Sequence, residues 1–153
     1  MKTLNEWFDE YGVSHKNVTN KKIHYICVPL IFFSVVGLFM SIPNGLLQPL
    51  AFLPSIFVNW AFVVLLFVLL FYFRLSIAMG LKMLLFTAIC LVGNYYIGQA
   101  VPLLYFSIAL FAAGWIGQFY GHQIEGKKPS FIKDLQFLLI GPAWVIDSVL
   151  KIN

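Results

Sequence analysis

The stretch IHYICVPLIFFSVVGLFMSI, residues 23–42, decides the fold. It runs for twenty residues without one Lys, Arg, Asp or Glu, which is the length an α-helix needs to cross the roughly 30 Å hydrocarbon core of a bilayer. A polar segment, VSHKNVTNKK (13–22), precedes it, with Asn20 placed as an N-cap, and Pro43-Asn44-Gly45 turns the chain after it. This is a first membrane crossing, with His24 in its first turn.

Working outward, three further apolar runs follow, over about 55–73, 76–97 and 102–121. Arg74 ends the second, Lys82 lies inside the third, and Pro102 opens the fourth at a favoured first helical position. The composition agrees: 61% of the 153 residues are hydrophobic and 10% charged, against about 25% charged in soluble domains. The expected fold is all-α, a polytopic membrane helical bundle of four transmembrane helices forming one integral domain over 1–153.

The charges set the expected orientation. All ten Lys and Arg residues lie in the N-terminal segment, near the link between the second and third spans, or after the fourth, so both termini should be cytosolic. The basic residues flank apolar segments and form no solvated patch, so the net charge of +4 points to no nucleic acid partner. Cys27 and Cys90 both sit in apolar runs without CxxC spacing and read as small buried hydrophobes.

Two segments lie outside the spans. In MKTLNEWFDEYG (1–12), Thr3 and Glu6 make a capping box, and Leu4, Trp7, Phe8 and Tyr11 recur at helical spacing opposite Asn5, Glu6, Asp9 and Glu10. That predicts an interfacial helix ending near Gly12, and acidic residues this early do not suit a cleaved signal peptide. In the tail, Gly141-Pro142 and Asp147 interrupt LQFLLIGPAWVIDSVL (135–150), which predicts a kinked re-entrant or interfacial helix.

The chain's histidines are His15, His24 and His122, and the expected topology brings all three to one leaflet. Gln118, His122 and Glu125 share one helical face, and Gly121 and Gly126 permit close approach or helix termination. His15 and His24 are nine apart, so the helix must break within Asn17–Asn20 if they are to converge. Imidazoles with a carboxylate suit a divalent transition metal, iron or zinc. No HExxH, HxxxH or HxxHH string occurs, and headgroup-level histidines that only meet lipid phosphate fit the same spacing. Asn59, Asn94 and Gln99 read as helix-to-helix hydrogen bonds, and Lys82 either snorkels or pairs with a lipid carboxylate.

At HKNVTNKKIHYICVP (15–29) and GWIGQFYGHQIEGKKP (114–129) the sequence resembles a family of small multi-pass membrane proteins whose fungal member is a 2-hydroxy-fatty-acid dioxygenase. The match runs through His15, Asn20, His24, Val28 and Pro29, and through Trp115, Gln118, Phe119, Gly121, His122, Glu125 and Pro129. The family favours a glutamate in the tail after a proline, where this chain has Pro142 and then Asp147.

The resemblance implies Fe(II)-dependent α-oxidation of a long-chain 2-hydroxy fatty acid by O2 in a membrane, bacterial inner or endoplasmic reticulum. It implies that His15, His24 and His122 hold the iron and form the catalytic set with Glu125. Lys82 and Gln118 would bind substrate, and Asn20 and Asp147 would support the ligands. The opposing expectation is a non-catalytic lipid-binding or assembly protein.

Overall fold

The structure, a computed structural model, describes residues 2–126 and 137–150. The regular elements are all helices, with no strand among the described residues. Helix α1 (Leu4–Gly12) starts at the expected capping box: the Thr3 hydroxyl accepts from the Glu6 N–H, and the Glu6 carboxylate accepts from the Thr3 N–H. Those bonds, the Thr3 backbone first, hold the Glu6 carboxyl below its ordinary range. The apolar face of α1 is partly covered and Tyr11 is buried, while Asn5, Glu6, Asp9 and Glu10 are exposed.

Helix α2 (Val18–Met40) starts five residues before the expected Ile23. Its cap is Asn17 and not Asn20: Asn17 Oδ1 accepts from the Thr19 N–H at 2.8 Å and the Asn20 N–H at 3.3 Å. Asn20 lies inside the first turn, and its side chain is used elsewhere. The break between His15 and His24 therefore falls at residues 13–17, meeting the expected Asn17–Asn20 stretch only at Asn17.

The second apolar run is the largest departure. Ser55–Phe57 is a 3-10 turn, and α3 spans only Trp60–Leu75 because Asn59 caps it through the Phe62 N–H at 2.9 Å. Asn59 is thus a cap and no interhelical bond. Sixteen residues rise about 24 Å, short of a bilayer core. Among the described residues the helices long and apolar enough to cross are three: α2, α4 (Ile77–Ala100) and α5 (Leu103–Glu125). α3 and α4, joined through Ser76, pack on each other.

In the tail, α6 (Ile140–Leu150) holds Gly141 and Pro142 in its first turn, where a missing N–H costs nothing. Among the described residues Pro142 therefore stands within the first turn of this helix. Part of the segment before it lies outside the described residues, as do Pro129 and Ser130.

The described residues fall into two compact units, Met1–Phe32 with Phe111–Asn153, and Phe33–Leu110. In the second, Asn94 donates to the Phe33 and Cys90 carbonyls, and Ser107 and Thr87 are buried, while Phe67, Leu85 and Ile108 are exposed. Polar groups inside and large apolar groups outside invert the soluble pattern and suit lipid surroundings. In the first unit, α5 carries Gly114, Gly117 and Gly121 against α2. A Cβ on Gly121 would overlap Asn20 Oδ1, and one on Gly117 would overlap Cys27 Sγ, so the three glycines set how closely the two helices approach. Both cysteines are free.

Candidate metal centre

The first unit gathers all three histidines. His15 comes from the loop between α1 and α2, His24 from the second turn of α2, and His122 from the last turn of α5. Each is buried, and each offers a ring nitrogen such that these atoms lie within 4.8 Å of one another. Ring centroids are 4.3 Å apart for His15 and His24, 5.0 Å for His24 and His122, and 5.5 Å for His15 and His122.

Backbone carbonyls orient two of the rings. His15 Nδ1 lies 2.7 Å from the Tyr11 carbonyl, and His24 Nδ1 lies 3.0 Å from the Asn20 carbonyl. A carbonyl only accepts, so each Nδ1 carries the proton and each Nε2 keeps its lone pair. Metal-ligating histidines are held in this way. His24 Nε2 is buried with no hydrogen-bond partner among the described residues. An orphaned lone pair there is costly unless something electrophilic meets it. The donor set therefore fits a divalent transition metal.

Aromatic rings wall His15. Tyr11 stacks on it at 4.2 Å and 13°, and Trp144 of α6 leans on it at 5.7 Å. Neither was marked as a site residue from sequence. Tyr11 had a signal, standing four before His15 on the apolar face of α1, whereas Trp144 had none beyond being aromatic.

Glu125 joins the two segments that carry His15 and His122. Its carboxylate accepts from the Lys16 N–H, the Asn17 N–H and Asn20 Nδ2, each at 2.9 Å. Both oxygens are occupied by the start of α2. Just beyond Glu125, Gly126 adopts φ 71°, the left-handed position that ends a helix.

Two openings reach the histidines. His24 and His122 line a small cavity of about 30 Å³, taken as the space open to the centre of a water-sized sphere, whose walls include Val28, Ile31, Trp115 and Phe137. Gln118 lines it too. His15 lines a wider, more polar cleft of about 710 Å³ on the same measure, with Lys16, Lys21, Trp144 and Asp147. Asp147 is buried at 9% exposure. Lys82 belongs to the second unit, half-buried on α4, and lines neither opening.

Comparison with known proteins gives one finding. The family model described as 2-hydroxy-palmitic acid dioxygenase Mpo1-like matches residues 1–152. No curated protein matches the chain, and no solved structure does.

Proposed function

Because the chain belongs to the 2-hydroxy-palmitic acid dioxygenase Mpo1-like family, we propose that it is an Fe(II)-dependent dioxygenase acting on long-chain 2-hydroxy fatty acids in the membrane. The reaction is RCH(OH)COOH + O2 → RCOOH + CO2 + H2O. The C1–C2 bond breaks, and these two carbons together give up the four electrons that reduce O2 fully. No second redox cofactor is required.

The observation that carries this reading is the convergence of three buried histidines from three separate segments, two of them held in the Nδ1–H tautomer. His15, His24 and His122 would hold Fe(II) through ring nitrogens, leaving positions for substrate and O2. Fe(II) bound there supplies Lewis acidity and the electron that spin-restricted O2 requires. Glu125 pins the backbone after His15, and Asn20 both accepts the His24 proton at its carbonyl and donates its amide to Glu125. Gln118 is buried on the wall of the cavity at His24 and His122, where its amide is placed to contact a reactant bound there. Asp147 lines the cleft together with Lys16 and Lys21. The site lies at the cytosolic ends of its helices, where the acid head reaches the histidines while the acyl chain stays in lipid.

The test is anaerobic purification in detergent, metal analysis, and O2 uptake with 2-hydroxypalmitate read by mass spectrometry. Iron near one per chain and a C15 acid are expected. A well-folded protein that binds no iron and makes no C15 acid leaves a lipid-binding membrane protein.

A further inference from the structure

The two openings differ in size and chemistry, and that difference divides the reactants. The cleft at His15 has charged groups at its rim and the volume of an organic ligand site, which typically needs several hundred Å³. The cavity at His24 and His122 is about 30 Å³ on the same measure, room for one or two water-sized molecules and no acyl chain. Its walls are mostly carbon, from Val28 and Ile31 of α2, Trp115 of α5, and Phe137 and Leu138, with Tyr11, Gln118 and the two imidazoles as the polar minority. Small cavities with predominantly apolar walls take up apolar guests such as xenon. Of the two substrates only O2 is small enough to enter a cavity of this size beside two of the three histidines.

We propose that the small apolar cavity bounded by Val28, Ile31, Trp115 and Phe137, beside His24 and His122, is the dioxygen-binding pocket, with the 2-hydroxy acid arriving through the separate cleft at His15. This assignment rests on the dioxygenase reading above. It makes Val28 a specificity-determining residue for O2. Val28 is buried at 8% exposure and sits one helical turn beyond His24. The cavity tolerates little added bulk, since a Cβ on Gly141 would already stand 3.1 Å from Tyr11 Oη and 3.2 Å from Val28 Cγ1.

The experiment uses the full chain in detergent, with Val28→Phe to fill the pocket and Val28→Ala to enlarge it. Xenon, read by 129Xe NMR on the metal-free protein, probes the pocket without turnover. Wild type should bind xenon saturably, Val28→Ala more strongly and Val28→Phe not at all. In the iron-loaded protein, Val28→Phe should raise KM for O2 at least about fivefold while KM for 2-hydroxypalmitate stays within about twofold. Should Val28→Phe misfold, Val28→Ile adds a single methylene and should move KM for O2 the same way by a smaller factor. A wild type that excludes xenon has a water site there, and the assignment falls. A change in KM for the acid instead of O2 gives the pocket to the acyl chain and also overturns it. If iron-loaded wild type consumes no O2 with 2-hydroxypalmitate, the dioxygenase reading fails and takes the pocket's occupant with it. If it turns over with KM for O2 unmoved by Val28→Phe, the pocket assignment alone is wrong.

Discussion

Removing the Glu125 carboxylate should loosen the metal site without dismantling the fold. The strap consists of three hydrogen bonds at 2.9 Å, two to backbone N–H groups and one to the Asn20 amide. Lys16 and Asn17 are exposed, so in Glu125→Ala water replaces the lost acceptor and each bond costs about 0.5–1.5 kcal/mol. Asn20 has 0% exposure and keeps only a long 3.4 Å bond from Nδ2 to the Ser14 carbonyl, which adds about 1–3 kcal/mol for a poorly satisfied buried donor. A loss of about 2–6 kcal/mol results, to be set against the usual 5–15 kcal/mol of fold stability. The freed segment carries His15, so metal affinity should fall by about 10–100-fold, the range for groups that hold a ligand without being one. Cobalt(II) titration by absorbance, beside thermal unfolding in detergent, measures both. Glu125→Gln keeps one acceptor and should fall between Ala and wild type. Wild-type cobalt affinity and melting temperature in Glu125→Ala would refute the strap. Total loss of metal, equal to that of His122→Ala, would make Glu125 a ligand.

Other perturbations follow from the same geometry. His122→Ala should lower iron from about one per chain to near zero while leaving helicity intact, measured by metal analysis and circular dichroism. Gly121→Ala drives a methyl group into Asn20 Oδ1 and to 3.4 Å from His24 Cε1. It should cost about 1–3 kcal/mol and weaken cobalt binding, whereas Gly12→Ala, with nothing within 4 Å of its Cβ, should do neither. Asn17→Ala removes the α2 cap and should cost about 1 kcal/mol, read as a drop in melting temperature. The Glu6 carboxyl is held below its ordinary range by Thr3, so the capping box stabilises α1 above the unfolded-state value. That contribution disappears as pH falls through the lower folded value, seen as faster amide exchange in α1.

What the sequence disclosed follows the range of each interaction. The capping box is decided within four residues and stands where the pattern put it, whereas the fourth run, expected to end near Gly121, continues as helix to Glu125 and stops at Gly126. The meeting of His15, His24 and His122 was readable because a membrane restricts where polar groups can go. The cap of α2 was misplaced because Asn17 and Asn20 are equivalent by local chemistry; only Glu125, more than a hundred residues away, commits the Asn20 amide elsewhere. The short α3 escaped notice for a related reason. Hydropathy counts apolar residues and is blind to Asn59, whose cap starts the helix five residues late. Lys82 drew attention by being charged within an apolar run, a property that carries no information on which residues surround it.

The tautomers tie these features together. A histidine that donates Nδ1–H to a carbonyl has its Nε2 direction set by whatever positions that carbonyl. For His15 the carbonyl belongs to Tyr11, at the end of α1, and for His24 it belongs to Asn20, in the first turn of α2. The Glu125 strap crosses between them, bonding the backbone at Lys16 and Asn17 and the Asn20 side chain. Two imidazole directions and the end of α5 that carries His122 are therefore set by one carboxylate and two short helical segments. This explains why a chain with six acidic residues places one three positions after a histidine: the carboxylate has no need to touch a metal to determine where its ligands point.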